Sequence, residues 1–488
     1  MGVAIFRADA SQKTGAGHVM RCLTLANALA EEGLSCVFAT CRESEAIVRD
    51  ISVFPVMWLS DEELLSAAAL RARRPEGCDL LIVDHYGIAS DYESALRGWA
   101  GRIVVIDDLA DRKHDCDLLL DQTLGRLPSE YENFVPQHCN ILTGSTFALL
   151  RPEFAAARAT AMRRHSSGGS VRRILVSLGA TDPADVTKSV LAVLAQVAPE
   201  VDVDVVYGVA PPAALQPGSG SSDWQGKVCN HFRTSRMAEL ATEADLAIGA
   251  AGISTWERCC LGLPAIVLVL AENQRGVAAA LKSCGGAVVT DLAGLPEAVQ
   301  ALMRNPEARV KIAVQASLMC DGLGTRRVLS EILPIAARNG KAVTLRPASM
   351  ADAEVMLGWQ REPLVRAFSR TTRIPERSEH LAWLEARLRD PDCLLAIIES
   401  DHAPVGAVRL DPPNAAGRRE VSIYLGSAHH GQGIASAALA QLRRLVPEDS
   451  LEAHVLPGNE ASAKLFSAAG YCCLKPGLYV SSPPRILQ

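Results

Sequence analysis

RADASQKTGAGHVMR, residues 7–21, decides how this chain is read. A short apolar run, Val3 to Phe6, precedes it and predicts a β-strand. The stretch then passes through Gly15, Ala16 and Gly17 into a helix whose apolar face is Val19, Cys22, Leu23, Ala26, Leu29 and Ala30, the period expected of packing on a sheet. Glycines let backbone amides approach a ligand, and a helix N-terminus carries partial positive charge. His18 falls in the first turn, where that field disfavours a cation, so the ring is expected to stay neutral and able to accept a proton near pH 7. The stretch reads as a site for an anionic substrate with a base beside it. The plainer alternative is a tight turn with a histidine that only packs.

The 488 residues are enough for two or three domains, each with its own core. Hydrophobic residues make up 49% and charged residues 21%, an ordinary globular composition. A net charge of -6 argues against a dedicated nucleic-acid surface. No apolar run reaches the roughly 18 residues of a membrane span, and no basic leader precedes an apolar core, so a cytoplasmic location and no membrane partner are expected. The 14 cysteines are scattered without paired CxxC motifs, which predicts free thiols and no metal site. Nothing in the pattern indicates an oligomeric state.

From Val3 to about Ala157 apolar runs ending at Asp84, Asp108 and Asp121 alternate with helical patterns, which implies parallel βαβ units. The polar stretch 163–172 (RRHSSGGSVR) reads as a linker, and the alternation restarts with RILVSLG, VDVVYG, DLAIGAAG and PAIVLVL. Two doubly wound halves, residues 1–160 and 170–336, are therefore expected, with ligands at the carboxyl ends of their strands. A second break at 336–341 (AARNGK) precedes a separate α+β domain, residues 342–488.

Asp84-His85-Tyr86-Gly87 and Asp107-Asp108 each follow an apolar run, where a sheet delivers side chains to its cleft. In the second half, the small-residue loop Ser177-Leu178-Gly179-Ala180-Thr181-Asp182 suits phosphate or sugar contacts. A second such loop, Gly249 to Thr255 with Gly252 and Ser254, leads into a helix carrying Glu257. Glycines and hydroxyls at a helix N-terminus can cradle a diphosphate, and a glutamate one turn in can accept bonds from both ribose hydroxyls. Glu272-Asn273-Gln274 supplies further neutral donors and acceptors.

In this order the motifs RADAS…GAGHVMRC, VDHYG, DD, SLGATD, GAAGISTWE…GLPAIVLV and ENQ resemble the UDP-sugar hydrolases of pseudaminic acid biosynthesis over roughly residues 1–335. The second half also looks like the UDP-binding half of the lipid II glycosyltransferase. The resemblance implies a GT-B-like pair of Rossmann-type domains. It also implies metal-independent release of UDP and 2,4-diacetamido-2,4,6-trideoxy-L-altrose with inversion. His18 would be the base that activates water, Gly15 and Gly17 would line its loop, and Tyr86 would stand beside the substrate. Arg21, Asp107, Gly179, Thr181, Asp182, Gly252, Ser254, Glu257, Asn273 and Gln274 complete the expected UDP-sugar contacts.

In the third domain, Tyr424-Leu425 ends a strand and His430-Gly431-Gln432-Gly433-Ile434-Ala435 opens an apolar helix, whose exposed amides can bind a pyrophosphate. Asn459 begins another helix. With LRPASMADAE, VGAVRLD and REVSIYL these residues resemble the GNAT N-acetyltransferases, the pseudaminic-acid acetyltransferases in particular. The resemblance implies acetyl-CoA as co-substrate and acetylation of the 4-amino group of the precursor UDP-sugar, with Leu425, His430 to Ala435 and Asn459 holding the coenzyme. Two departures stand out: His430 replaces the usual Arg or Gln, and Phe466 replaces the usual tyrosine acid. Glu420 is the expected base for the substrate ammonium. The alternatives are a GT-B glycosyltransferase and a nucleotide-sugar-binding protein with a degenerate acetyltransferase domain.

Overall fold

The computed structural model describes residues 2–11, 15–179, 186–208 and 224–483. The chain divides into two compact units, Met1–Thr325 and Arg326–Gln488.

Among the described residues the first unit holds two parallel sheets. The first contains β1 (Val3–Ala8), β2 (Ser35–Cys41), β3 (Val56–Leu59), β4 (Cys78–Asp84), β5 (Ala100–Ile106), β6 (Leu118–Asp121) and β7 (Asn140–Thr143), in the order β3-β2-β1-β4-β5-β6-β7. The second contains β8 (Arg173–Ser177), β9 (Asp202–Tyr207), β10 (Val228–Phe232), β11 (Leu246–Ala250), β12 (Ala265–Leu268) and β13 (Val288–Thr290), in the order β10-β9-β8-β11-β12-β13. Both orders reverse direction at their first strand, between β1 and β4 and between β8 and β11. Such switch points open a crevice beyond the strand ends. Residues 7–11 and 15–21, and the Gly249 loop, lie at these two crevices.

Strand pleating divides the second sheet's core cleanly. Leu175, Ala247 and Val267 join one apolar cluster, while Ile174, Val176, Ile248 and Ile266 join the other. Phe154 and Ala161, from the helix Pro152–His165, belong to the first of these clusters. That helix corrects two sequence expectations. It runs through 163–165 rather than yielding to a linker, and it packs on the second sheet although it precedes residue 170. The His165 ring lies 2.9 Å from the carbonyls of both Leu261 and Ala244, which accounts for a helix end that looked merely polar.

Among the described residues the second unit holds one mixed sheet, with β14 (Ile335–Ala336), β15 (Ala342–Pro347), β16 (Leu394–Ser400), β17 (Ala403–Leu410), β18 (Arg418–Leu425), β19 (Ser450–His454), β20 (Cys472–Lys475) and β21 (Leu478–Ser481). All neighbouring pairs are antiparallel except β18 and β19. The expected break at 336–341 is instead a hairpin inside this unit: Ile335 pairs with Val343, and the Ala337 amide donates to the Lys341 carbonyl at 2.8 Å.

Arg158, on the helix Pro152–His165, is 9% exposed and donates to the carbonyls of Cys260, Ser317 and Cys320. Removing it strands buried carbonyls, each costing about 1–3 kcal/mol. Arg158→Ala is therefore expected to lower the first unit's stability by at least about 2 kcal/mol in denaturant titrations; an unchanged midpoint would contradict this packing.

Candidate active sites

The first crevice is built by register. Ala8 at the end of β1 pairs with Asp84 at the end of β4, so the Asp84 carboxylate emerges beside the chain leaving β1. Gly15 takes φ +76° and donates its amide to the Ser11 carbonyl at 2.7 Å, which closes the turn. The helix α1 (Gly17–Glu31) then starts with His18 in its first turn.

Asp84 is 1% exposed and sits at the centre of a charged cluster. His18 Nδ1 lies 2.5 Å from Asp84 Oδ1, and Arg21, one turn further along α1, grips both carboxylate oxygens at 2.6 Å. Arg21 Nη1 also reaches Asp108 Oδ2 at 3.1 Å, and the Cys22 thiol stands 3.6 Å from Asp84 Oδ2. Arg21 Nη2 comes within 3.2 Å of His18 Nδ1, but both nitrogens are donors converging on Asp84. In the neutral ring the contact with Asp84 places the proton on Nδ1 and leaves Nε2 as the acceptor. The helix terminus by itself accounts only for a ring that resists a positive charge. The structure adds a carboxylate that fixes the ring's tautomer and orientation. Burial pushes the Asp84 carboxyl up, but the Arg21 charge and then His18 more than offset it and hold it well below the usual carboxylate range.

A cavity of about 560 Å³ is lined by His18 together with Asp9, Leu59, Leu64, His85 and Tyr86, among others. The Tyr86 ring meets His18 edge-on at 4.5 Å. Burial, with the nearby Asp108 carboxylate, raises the Tyr86 hydroxyl's pKa and keeps it protonated. Asp107, expected among the substrate contacts, is turned inward. It is 1% exposed, accepts from the Tyr131 hydroxyl at 2.8 Å and the Ala110 amide at 2.9 Å, and pairs with Arg112. The neighbouring Asp108 faces Arg21 instead. Asp84, His85 and Asp108, expected at the cleft from their place after apolar runs but given no role there, stand at the site, and Asp9, for which the sequence suggested no role, lines the cavity with His85.

At the second crevice, Gly179 takes φ +106° after β8, while Thr181 and Asp182 lie outside the described residues. The buried Arg258 props the other loop by donating to the Ala250 carbonyl at 2.7 Å and the Ser254 hydroxyl at 3.1 Å. A Cβ on Gly252 would meet nothing within 4 Å, so the loop surface there is open. Glu257 lies 3.6 Å from Arg151, and burial pushes its carboxyl up against the opposing charge of Arg151. Asn273 and Gln274 sit in the turn Glu272–Gln274, and Gln274 Oε1 accepts from the Leu270 amide at 2.9 Å, which shapes that turn. The two crevices meet: a Cβ on Gly17 would lie 3.0 Å from Ile253 Cδ1. A side chain at 17 would press on the tip of Ile253, so glycine there leaves the histidine loop and the Gly249 loop in close contact.

In the second unit, β18 and β19 pair only from Arg418–Glu420 to Ser450–Glu452, and beyond Glu420 they part. The opened edge of β18 leads to the loop before the helix Ile434–Leu445. Gly431 and Gly433 take φ +74° and +83°, and a Cβ on Gly433 would lie 2.8 Å from the Arg338 nitrogen. The Ala437 amide bonds to the Gly433 carbonyl, so the amides of Ile434, Ala435 and Ser436 precede that first α-type bond and can face an anion. His430 Nε2 binds the Leu425 carbonyl at 3.1 Å, and Gln432 spans Ala428 and Asn339. These side chains set the loop's shape and leave its backbone to a ligand, which fits the diphosphate of a coenzyme. Asn459 caps the helix Glu460–Ala468 through the Ser462 amide. Glu420 stands where the strands part, ion-paired with Arg370. Phe466 is 4% exposed against the Tyr471 and Tyr479 rings, and burial pushes the Tyr471 hydroxyl up to about 12.

Two Rossmann-type domains with facing glycine loops, followed by a unit with parted central strands and an anion loop, define a GT-B-like module joined to an acyltransferase-type module. Comparisons agree. Residues 342–471 match the family described as acetyltransferase (GNAT) domain, so the second unit carries a GNAT domain. The crystal structure of MurG from Acinetobacter baumannii has the GT-B-like fold of the first unit. It aligns with a TM-score of 0.50 at 15% identity, covering 68% of this chain and 98% of that one. The chain is 33% identical to the UDP-2,4-diacetamido-2,4,6-trideoxy-beta-L-altropyranose hydrolase of Campylobacter jejuni over 150 residues, 31% of this chain and 52% of that protein. That match spans about half the length of the hydrolase. The uncharacterized protein MJ1062 of Methanocaldococcus jannaschii is 24% identical over 503 residues, 98% of each chain, so the two-module length recurs there. Among the described residues no helix is long and apolar enough to cross a membrane.

The depressed Asp84 pKa sets a sign for pH dependence. Its ion cluster stabilises the fold above about pH 4, where the unfolded carboxyl is also ionised, and the contribution is lost as pH falls toward the folded value. The stability gap between wild type and Asp84→Asn is therefore expected to narrow between pH 6 and pH 3 in urea titrations; a gap that is constant or widens on acidification would contradict the assignment.

Proposed function

We propose that the chain is a bifunctional nucleotide-sugar enzyme. Its first unit hydrolyses UDP-2,4-diacetamido-2,4,6-trideoxy-beta-L-altropyranose, and its GNAT domain acetylates the 4-amino group of the precursor UDP-sugar. The observation that carries the reading is the oriented His18–Asp84–Arg21 cluster beside the cavity, in contact through Gly17 with the Gly249 loop.

His18 Nε2 takes a proton from water as the water oxygen attacks the anomeric carbon. The bond from that carbon to the UDP oxygen breaks with inversion, and the electron pair leaves with UDP. Amides of the Gly249–Ser254 loop face the diphosphate, Glu257 the ribose, and Gly179, Thr181, Asp182, Asn273 and Gln274 complete the hold on nucleotide and sugar. UDP is a weak base, so no general acid is required, while oriented amides stabilise its growing charge. In the GNAT domain the sugar amine attacks the thioester carbonyl of acetyl-CoA and expels the coenzyme thiolate, which takes up the proton that the nitrogen sheds as the amide forms. Glu420 accepts the proton of the ammonium, Arg370 swinging aside to let it do so. Leu425, the His430–Ala435 loop and Asn459 hold the coenzyme. The two steps share an intermediate, which gives their fusion a rationale.

The same fold would serve glycosyl transfer to another acceptor, and the MurG likeness keeps that reading in play. Mass spectrometry after incubating the protein with the 4-amino UDP-sugar, with and without acetyl-CoA and with no other acceptor, separates the readings. The hydrolase reading predicts acetylated UDP-sugar, then stoichiometric free sugar and UDP, only when acetyl-CoA is present. UDP release that depends on a sugar acceptor would favour transfer, and no acetylation at all would favour a binding protein with an inactive third domain.

His18→Gln is expected to bind UDP normally and to lose roughly 100-fold or more of the hydrolytic rate; near-normal turnover would remove the base. Glu420→Gln is expected to slow acetylation at pH 7 by at least about tenfold and to recover as pH rises and the amine deprotonates unaided; an unchanged pH–rate profile would exclude Glu420.

A further inference from the structure

The mechanism proposed for the second unit asks Glu420 to accept a proton, yet in the structure that carboxylate is closed by Arg370. The cation reaches it from the turn 367–373, which lies between the helices Pro363–Arg366 and Arg377–Leu388. Arg366 staples this turn. Its Nη2 donates to the carbonyls of Thr371 and Arg373, the latter at 2.8 Å, and its Nη1 donates to Gln360 Oε1 at 2.7 Å. The backbone of Arg370 is thereby placed while its side chain stays 64% exposed, so the guanidinium can swing without moving the turn.

The neighbouring cations are engaged elsewhere. Arg409 donates to Asp411 at 2.8 Å and to the Ser422 hydroxyl at 3.3 Å, Arg419 pairs with Asp449 at 2.9 Å, and Arg373 pairs with Glu379 at 2.8 Å. Glu452, opposite Glu420 in the last pair of β18 with β19, accepts from Asn414 at 3.0 Å. Arg370 is therefore the cation that decides whether Glu420 is available. A guanidinium on the carboxylate occupies an oxygen lone pair, and its charge repels an arriving ammonium. An ion pair this exposed is worth little and yields to a better anion. A diphosphate is such an anion, because it carries more charge than a carboxylate and accepts the guanidinium fork through two oxygens.

We propose that Arg370 is a gate worked by the acceptor itself: the diphosphate of an amino-sugar nucleotide draws Arg370 off Glu420 and so frees the base only when that acceptor has bound. The amine and the diphosphate of such a molecule are separated by one pyranose ring, a span within the sweep of an arginine side chain. With the gate open, Glu420 takes one proton from the ammonium, the neutral amine attacks the thioester, and Arg370 offsets the phosphate charge. An amine without the nucleotide leaves the gate shut. The inference rests on the reading of this domain as an acetyltransferase of UDP-linked amino sugars and adds the regulation of its base.

The test measures acetylation by the full chain of two amines, the 4-amino UDP-sugar and the same sugar with a methyl group in place of UDP. Acetyl-CoA carries a diphosphate of its own and is present in both arms, so a difference between them reports the acceptor's. Wild type is expected to prefer the nucleotide by at least about 100-fold in kcat/KM. Arg370→Ala should cut that preference to about tenfold or less and raise kcat for the methyl glycoside by about threefold or more, a gain that a merely structural residue would not give. Adding Glu420→Gln should erase the gain, and Arg370→Lys, which keeps a cation, should restore part of the preference. Equal slowing of both amines in Arg370→Ala, or an unchanged preference, would overturn the gate. If wild type acetylates neither amine, or both equally well, the nucleotide-sugar reading of the domain fails and takes the proposal with it.

Discussion

A buried carboxylate with two partners on one helix turn organises the first unit. Asp84 alone would be costly in an apolar sheet end, and Arg21 alone equally so in α1; together with His18 they form a cluster in which each polar group has a partner. The cluster ties α1 to β4 at the sheet's switch point and aims one imidazole. Stability and chemistry therefore depend on the same contact.

Around that contact the first unit solves a problem of approach. In the proposed reaction a base on one Rossmann-type domain is useful only if the ligand held by the other comes to it. The meeting of Gly17 with Ile253 brings the two loops together, with Arg258 holding the second loop in shape from beneath. In the second unit a different device serves a related end: β18 parts from β19 after Glu420, and positive-φ glycines turn helix amides outward. Both places put backbone donors where the proposed function needs an anionic ligand, and glycine-rich loops at helix starts mark them.

Much of this was legible in the sequence because it is local. The apolar runs ending at Asp84, Asp121 and Ser177, the turn before His18 and the loop before Ile434 are written in consecutive residues, and strand and helix follow there as expected. What escaped depends on distant pairing. His18 and Asp84 are 66 residues apart, and nothing in either motif says that register brings them together. Of the adjacent Asp107 and Asp108, one turns inward to cap its own loop and the other faces Arg21, a choice that depends on Tyr131 and Arg112. The polar ends of the helix Pro152–His165 and of the β14–β15 hairpin looked like linkers because their partners are backbone carbonyls and a neighbouring strand, which leave no trace in composition.

The central claim is that a water activated by His18 attacks the anomeric carbon, and isotope labelling tests it directly. Turnover of the diacetamido UDP-sugar in 18O-water should place one heavy oxygen in the released sugar and none in UDP, with the new hydroxyl first appearing in the inverted anomer. Label in the UDP phosphate, or a sugar released with retention, would contradict the account.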